Sequence, residues 1–312
     1  MGAGMRKDRL DMTGAAGLLA VSLLLAFNQI LVKYVNTGLQ PVFFAGLRSA
    51  LAVVFVAGWL WYRGLLGRIR FVDLGAGALM GGLFAIEFLA MFLALDLTTV
   101  GRTALLMYSM PVWMGVLAHF LLPGERATPW KAAGLGLAFL GTAWAILSRN
   151  TSGTPSLLGD FCALVAAWGW AGTALVARKT SLRDAGPEAQ LFWMVLISAP
   201  LLLAVAPAFG PLIRDANWTH WAGLIFQALV VVSGGFIAWL WLLSVYPASI
   251  VASFSFLTPI MAIILGHFIY GELLSPSLIG AAALVSCGII LINRRGSIAA
   301  RIDLSAGRRN SS

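Results

Sequence analysis

Of 312 residues, 60% are hydrophobic and only 11% charged, whereas a water-soluble domain carries roughly 25% charged residues; a soluble globular fold is excluded. The net charge of +9 is spread as single or short groups of Lys and Arg between long apolar runs, the pattern of membrane-flanking charge and not of a nucleic-acid-binding patch. Cys162 and Cys287 both lie inside apolar runs; they supply neither a disulfide framework nor a thiolate metal site and read as small core residues.

A bilayer core about 30 Å thick takes about 20 apolar residues per helix. Cutting the chain at its polar and Pro/Gly punctuation predicts spans over 13–35, 41–61, 73–95, 99–121, 129–148, 157–177, 188–207, 218–244, 248–270 and 276–293. The first follows a cytoplasmic segment, residues 1–12, that carries Arg6, Lys7 and Arg9. No clear cleavage site comes after it, so it reads as an uncleaved helix. Asn28, Gln29 and Lys33 fall in the first span, Arg48 in the second and Glu87 in the third; Arg102 opens the fourth. Pro111 and Pro259 lie inside apolar runs, where each removes a backbone hydrogen bond and kinks its helix. Tyr108 and Ser109 precede the first of these prolines, and Ser253, Ser255 and Thr258 the second. Their hydroxyls either form a polar midplane patch or satisfy the kink. Thr128-Pro129 and Ser275-Pro276 place a capping hydroxyl before a proline at the first helical position, so both start helices. The tail, 296–312, is polar, basic and without periodicity, and reads as disordered.

With the N-terminus inside, sixteen Lys and Arg fall on inner segments, against Arg102, Arg149 and Arg214 on outer ones. That asymmetry places both termini in the cytoplasm and makes the number of spans even.

The segment from Met110 to Leu147 repeats from Thr258 onward. Pro111 answers to Pro259, His119 to His267, Gly124-Glu125 to Gly271-Glu272, and Pro129 to Pro276. Each copy holds an odd number of spans, so the second lies upside down relative to the first, as in secondary transporters that bind at the midplane between halves. The fold expected is all-α: ten transmembrane helices as two inverted five-helix repeats, over 13–149 and 150–295.

The repeat resembles the EamA-like domain of the drug/metabolite transporter superfamily. The proline within the fourth and ninth spans and the Gly-Glu before the next one fit that family, as do Asn28 and Lys33, Arg48 and the run AAWGWAGTALVARK. Leu25-Ala26 stands where the family often has Trp-Gly, and Ser49 where it has Phe. The resemblance implies a ten-helix carrier or exporter and leaves the cargo open.

Ionisable groups inside a membrane helix default to a functional role. At 1.5 Å per residue Arg48 lies about 10 Å below the outer surface and Glu87 about 12 Å from the outer end of its helix. One reading makes Lys33, Arg48, Glu87 and Arg102 an outward-facing vestibule, in which Arg48 and Lys33 meet a substrate carboxylate and Glu87 a cation or a proton. The plainer reading lets Lys33 and Arg102 snorkel and pairs Arg48 with Glu87. Asn28 and Gln29 either bind substrate or bond a neighbouring helix. Trp168 and Trp170 lie at mid-depth on different faces, so at most one of them looks into the cavity, with Trp168 the candidate. Asp160 stands alone, and Glu125 and Glu272 stabilise the helix starts that follow them. Gly134, Gly136, Gly141 and Gly280 mediate helix contacts within or between subunits, which leaves a homodimer open.

The sequence has no Walker-type glycine loop, no His-Glu-x-x-His and no metal-ligand spacing, so neither cofactor nor metal is expected. The function expected is a secondary transporter exporting small amphipathic metabolites such as amino acids, in the bacterial inner membrane, with proton coupling as one option. A membrane-embedded enzyme, a channel or a structural membrane subunit is the alternative.

Overall fold

The computed structural model describes residues 11–122, 129–148, 156–235, 238, 241–242, 245–246 and 257–294. The first half supplies α1 (Met12–Gly38), α2 (Pro41–Tyr62), α3 (Leu74–Leu97), the pair α4 (Val100–Met107) and α5 (Met110–Leu121), and α6 (Pro129–Leu147). The second supplies α7 (Leu157–Lys179), the single turn α8 (Leu182–Ala185), α9 (Pro187–Val205), α10 (Trp218–Phe226), α11 (Leu257–Tyr270) and α12 (Pro276–Arg294). Six helical stretches among the described residues are long and apolar enough to cross a membrane: Met12–Gly38, Pro41–Tyr62, Phe71–Leu97, Val100–Leu121, Leu157–Lys179 and Pro187–Phe209. Shorter apolar helices cover Ala132–Leu147, Leu257–Tyr270 and Pro276–Leu291. The expected spans 218–244 and 248–270 run partly outside the described residues, as do residues 1–10, Thr128, Arg149, Ser253, Ser255, Glu125 and the tail from 296.

Helix starts are set by polar side chains that accept the first free amides, since lipid offers those groups nothing. Asp11 accepts from Gly14 at 2.9 Å, Gln40 from Phe43 at 2.5 Å, Ser156 from Gly159 at 3.1 Å and Ser275 from Leu278 at 3.2 Å. Pro111 does not sit in an unbroken helix. The chain stops helical winding at Tyr108–Ser109 and restarts at Met110, which puts Pro111 in a first turn where its missing N–H costs nothing. Pro259 likewise lies in the first described turn of α11. Past Phe226, α10 widens into a π-type stretch over Gln227–Gly235.

Chain polarity is fixed by which ends meet. At one end, here called the Arg102 end, Lys33 near the close of α1 reaches the Thr98 carbonyl, and Arg102 at the start of α4 reaches that of Ser148 after α6. Gln40 before α2 reaches Ala206 after α9, and Thr37 in α1 meets His220 in α10. At the opposite end Ser181 after α7 bonds Asp73 before α3, and Tyr246 bonds Asp11 before α1. So α1 finishes where its counterpart α7 begins, and α4 begins where α11 finishes: the second copy runs upside down. Arg63, Arg68, Arg70, Arg178, Lys179 and Arg183 lie toward the Asp73 end.

Three helix pairings join an element to its own counterpart: α2 with α9, α4 with α11 and α6 with α12. Further pairings come in matched sets: α1 with α11 against α4 and α5 with α7, and α3 with α7 and α9 against the lighter packing of α10 on α1 and α2. That is the arrangement a two-fold axis in the membrane plane demands. Pro41 and Pro187 both open their helices, so Arg48 in α2 corresponds to Met194 in α9. Between α6 and α12 the approach is closest at Gly141, whose added Cβ would lie 2.8 Å from the Ala281 carbonyl, and at Gly288, 2.5 Å from that of Gly134. The small residues of these two helices are used within the chain; Gly136 alone among those singled out in the sequence faces open space.

Candidate functional site

Two polar regions of the described residues bear on the site. The first lies at the Arg102 end. Arg102 is 1% exposed and forms a two-pronged ion pair with Asp160 of α7, with Nε 3.0 Å from Oδ1 and Nη2 on Oδ2. Its Nη1 donates to the Ser148 carbonyl at 2.9 Å. Glu272 places Oε1 2.7 Å from the Val100 amide and Oε2 3.1 Å from that of Gly101. Lys33 Nζ sits 2.6 Å from the Thr98 carbonyl and 3.5 Å from Glu272. At the rim Arg214 grips Asp96 through two bonds of 2.8 and 3.0 Å.

The second region lies inside the largest apolar cluster, built from α1, α2, α3, α4, α7, α9, α10 and α11. Arg48 is 2% exposed, and its guanidinium lies 3.8 Å from the centroid of Phe88 and 5.2 Å from that of Phe92. Its Nε and Nη2 have no hydrogen-bond partner among the described residues. Glu87, on the adjacent α3, is equally buried and its Oε2 is unpartnered. No ion pair joins the Arg48 and Glu87 side chains. Gln29 of α1, Gln227 of α10 and Thr258 of α11 each bury an unpartnered oxygen. An unsatisfied buried polar group costs about 1–3 kcal/mol, so this concentration is expensive. Tyr108, at the α4–α5 break, packs edge-on against Trp170 at 5.5 Å. Backbone contact is tight here: a Cβ on Gly169 of α7 would stand 3.0 Å from the Glu87 backbone. An apolar groove of about 420 Å³ between α3 and α9, lined by Leu79, Ile86 and Leu201 among others, contains none of these polar groups.

The sequence-derived candidates therefore divide. Gln29, Arg48, Glu87, Tyr108 and Thr258 come to the buried centre. Asn28 is there too, but its side chain is engaged by Gln227, whose Nε2 donates to Asn28 Oδ1 at 2.5 Å. Lys33 is removed from the vestibule by the Thr98 carbonyl and Glu272. Ser109 spends its hydroxyl on the broken helix, donating to the Leu106 carbonyl at 2.6 Å and accepting from Trp113 at 3.0 Å. Trp168 is 41% exposed, on an outer stripe with Phe161 and Trp113, while Trp170 is the one turned inward. Ser255 lies outside the described residues. Asp160 does not stand alone, and Glu272 caps α4 of the other repeat, not the helix that follows it. Arg102 does not snorkel; full burial against Asp160 satisfies it. Sequence reasoning missed Gln227, although a lone amide in an apolar run is the same signal that flagged Gln29.

An all-α membrane protein of two inverted repeats with a buried polar centre has the architecture of a transporter. The sequence matches the EamA-like transporter family twice, over residues 12–147 and 157–294, and the chain belongs to that family. It is similar to the uncharacterized transporter YoaV of Bacillus subtilis (strain 168), 25% identical over 88% of this chain and 94% of that protein. It is also similar to the uncharacterized transporter YvbV of the same organism, at 27% over 65% and 66%. A crystal structure 20% identical to this chain superposes with a TM-score of 0.64 over 90% of it and 97% of the other, a likeness of fold.

Proposed function

We propose that the chain is a secondary carrier that exports small amphipathic metabolites, amino acids foremost, by alternating access about the buried centre. The observation behind this reading is Arg48, a buried guanidinium whose Nε and Nη2 have no partner among the described residues. Phe88 stacks on its flat face, which leaves the edge for a ligand, and that edge fits a carboxylate through two parallel bonds. Glu87 takes the ammonium group of the same ligand, or a proton on the return stroke. Gln29, Gln227 and Thr258 offer neutral acceptors around it. The charge distribution supports a bacterial inner-membrane location with the Asp73 end and both termini in the cytoplasm.

The test is counterflow in proteoliposomes with a panel of labelled amino acids. A carrier exchanges label faster when unlabelled substrate is present on the far side, and Arg48→Gln abolishes that exchange. Flux without such stimulation assigns the chain to channels, and chemical conversion of the label assigns it to enzymes; either result ends the carrier reading.

A further inference from the structure

Among the described residues three carboxylates join the two repeats at the Arg102 end, and their contacts differ in kind. The Arg102–Asp160 pair is buried and fully bonded, and the Arg214–Asp96 pair lies at the rim. Glu272 is anchored otherwise. It stands in the link between α11 and α12, whose course is set by Gly271 at φ +65° and by His267 Nδ1, 2.8 Å from the Glu272 carbonyl. Its carboxylate reaches across to the other repeat and accepts the Val100 and Gly101 amides, with Lys33 beside it. The seat exists because position 266 lacks a side chain: a Cβ there would fall 2.7 Å from Glu272 Oε2. The residue 148 positions earlier, in the first repeat, is Ala118, so the second repeat alone carries this vacancy.

The helices that Glu272 ties together are α1 through Lys33, α4 through its amides, and α11 through the chain itself. The same three deliver Gln29, Tyr108 and Thr258 to the centre. We propose that the Glu272 carboxylate is the latch of a gate at the Arg102 end: seated on α4 it closes the centre to that side, and withdrawn it lets α4 and α11 part. The proposal takes the position of the centre from the carrier reading, but its test needs no substrate.

The reporter is Thr103→Cys, fully buried on α4 below the latch, in the full chain with Cys162 and Cys287 replaced by alanine. Reconstituted protein is labelled with a membrane-impermeant maleimide from each face in turn. Glu272→Ala and Gly266→Ala each raise the labelling rate about tenfold, as loss of charge-assisted hydrogen bonds implies, and do so from the Arg102 side only. Gly266→Ala is the cleaner variant. Its methyl group displaces the flexible end of Glu272, and the next atoms it meets are Glu272 Cδ at 3.2 Å and Val100 Cβ at 3.4 Å. Glu272→Gln keeps one good acceptor and falls between parent and alanine. Rates that do not change, or that rise equally from both sides, overturn the latch. Counterflow in the parent with unresponsive labelling removes the latch alone; responsive labelling without counterflow removes the carrier reading alone.

Discussion

Arg102 and Arg48 are buried to the same degree, 1% and 2% exposed, yet they lead opposite chemical lives. Arg102 meets a carboxylate and two carbonyls, and fastens α4, α6 and α7 into one block. Arg48 meets ring faces and leaves two donors unpaired. Burial alone therefore does not tell structure from function in lipid; the completeness of hydrogen bonding does. The satisfied charge holds the Arg102 end together, while the unsatisfied one is what the proposed carrier function would have a ligand complete.

The sharpest way to break this comparison is to remove each arginine and measure thermal unfolding in detergent. Arg102→Leu strands Asp160 as a buried lone charge and lowers stability by about 3–5 kcal/mol, and adding Asp160→Leu restores most of the loss. Next in size is Gly169→Ala, which drives a methyl into the Glu87 backbone and forces α3 from α7 at a cost of about 1–3 kcal/mol. Arg48→Met removes the unpaired donors together with the charge. It leaves stability level or raises it by about 1 kcal/mol, while counterflow disappears. A stability loss as large as that of Arg102→Leu makes Arg48 structural and dissolves the contrast. Smallest is Arg214→Ala at the half-exposed rim, within about 1 kcal/mol and shrinking further in high salt. Glu87→Gln sharpens the comparison from the acidic side: if Glu87 carries the proton, pH dependence of transport flattens with unfolding unchanged.

Much of the fold was legible because the bilayer imposes a length and lipid forbids unpaired backbone. The helices begin at Pro41, Pro129, Pro187 and Pro276, punctuation visible in the primary chain, and the Pro111/Pro259 correspondence exposed the duplication. Within the site, Arg48 and Glu87 stood out because charge inside an apolar run is rare. What stayed hidden was pairing at a distance. Asp160 lies 58 residues from Arg102 and Glu272 lies 172 from Val100, and no local pattern joins them. Both contacts arise from packing between the repeats: Arg102 meets Asp160 where α4 and α7 both begin, and Glu272 reaches the start of α4 from beyond the end of α11. The choice between Trp168 and Trp170 was equally closed, since both faces of α7 are apolar and only tertiary contact separates lipid from interior.

The two repeats share a scaffold without sharing the charges at its centre. Arg48 has Met194 as its counterpart across the axis, and the arginine and the glutamate of the centre both come from the first half. A homodimer of either half alone would present every group twice and accept a guest in two equivalent poses. Fusion into one chain abolishes that equivalence: the centre has a head and a tail, so the carrier proposed above would hold a molecule with unlike ends in a single sense.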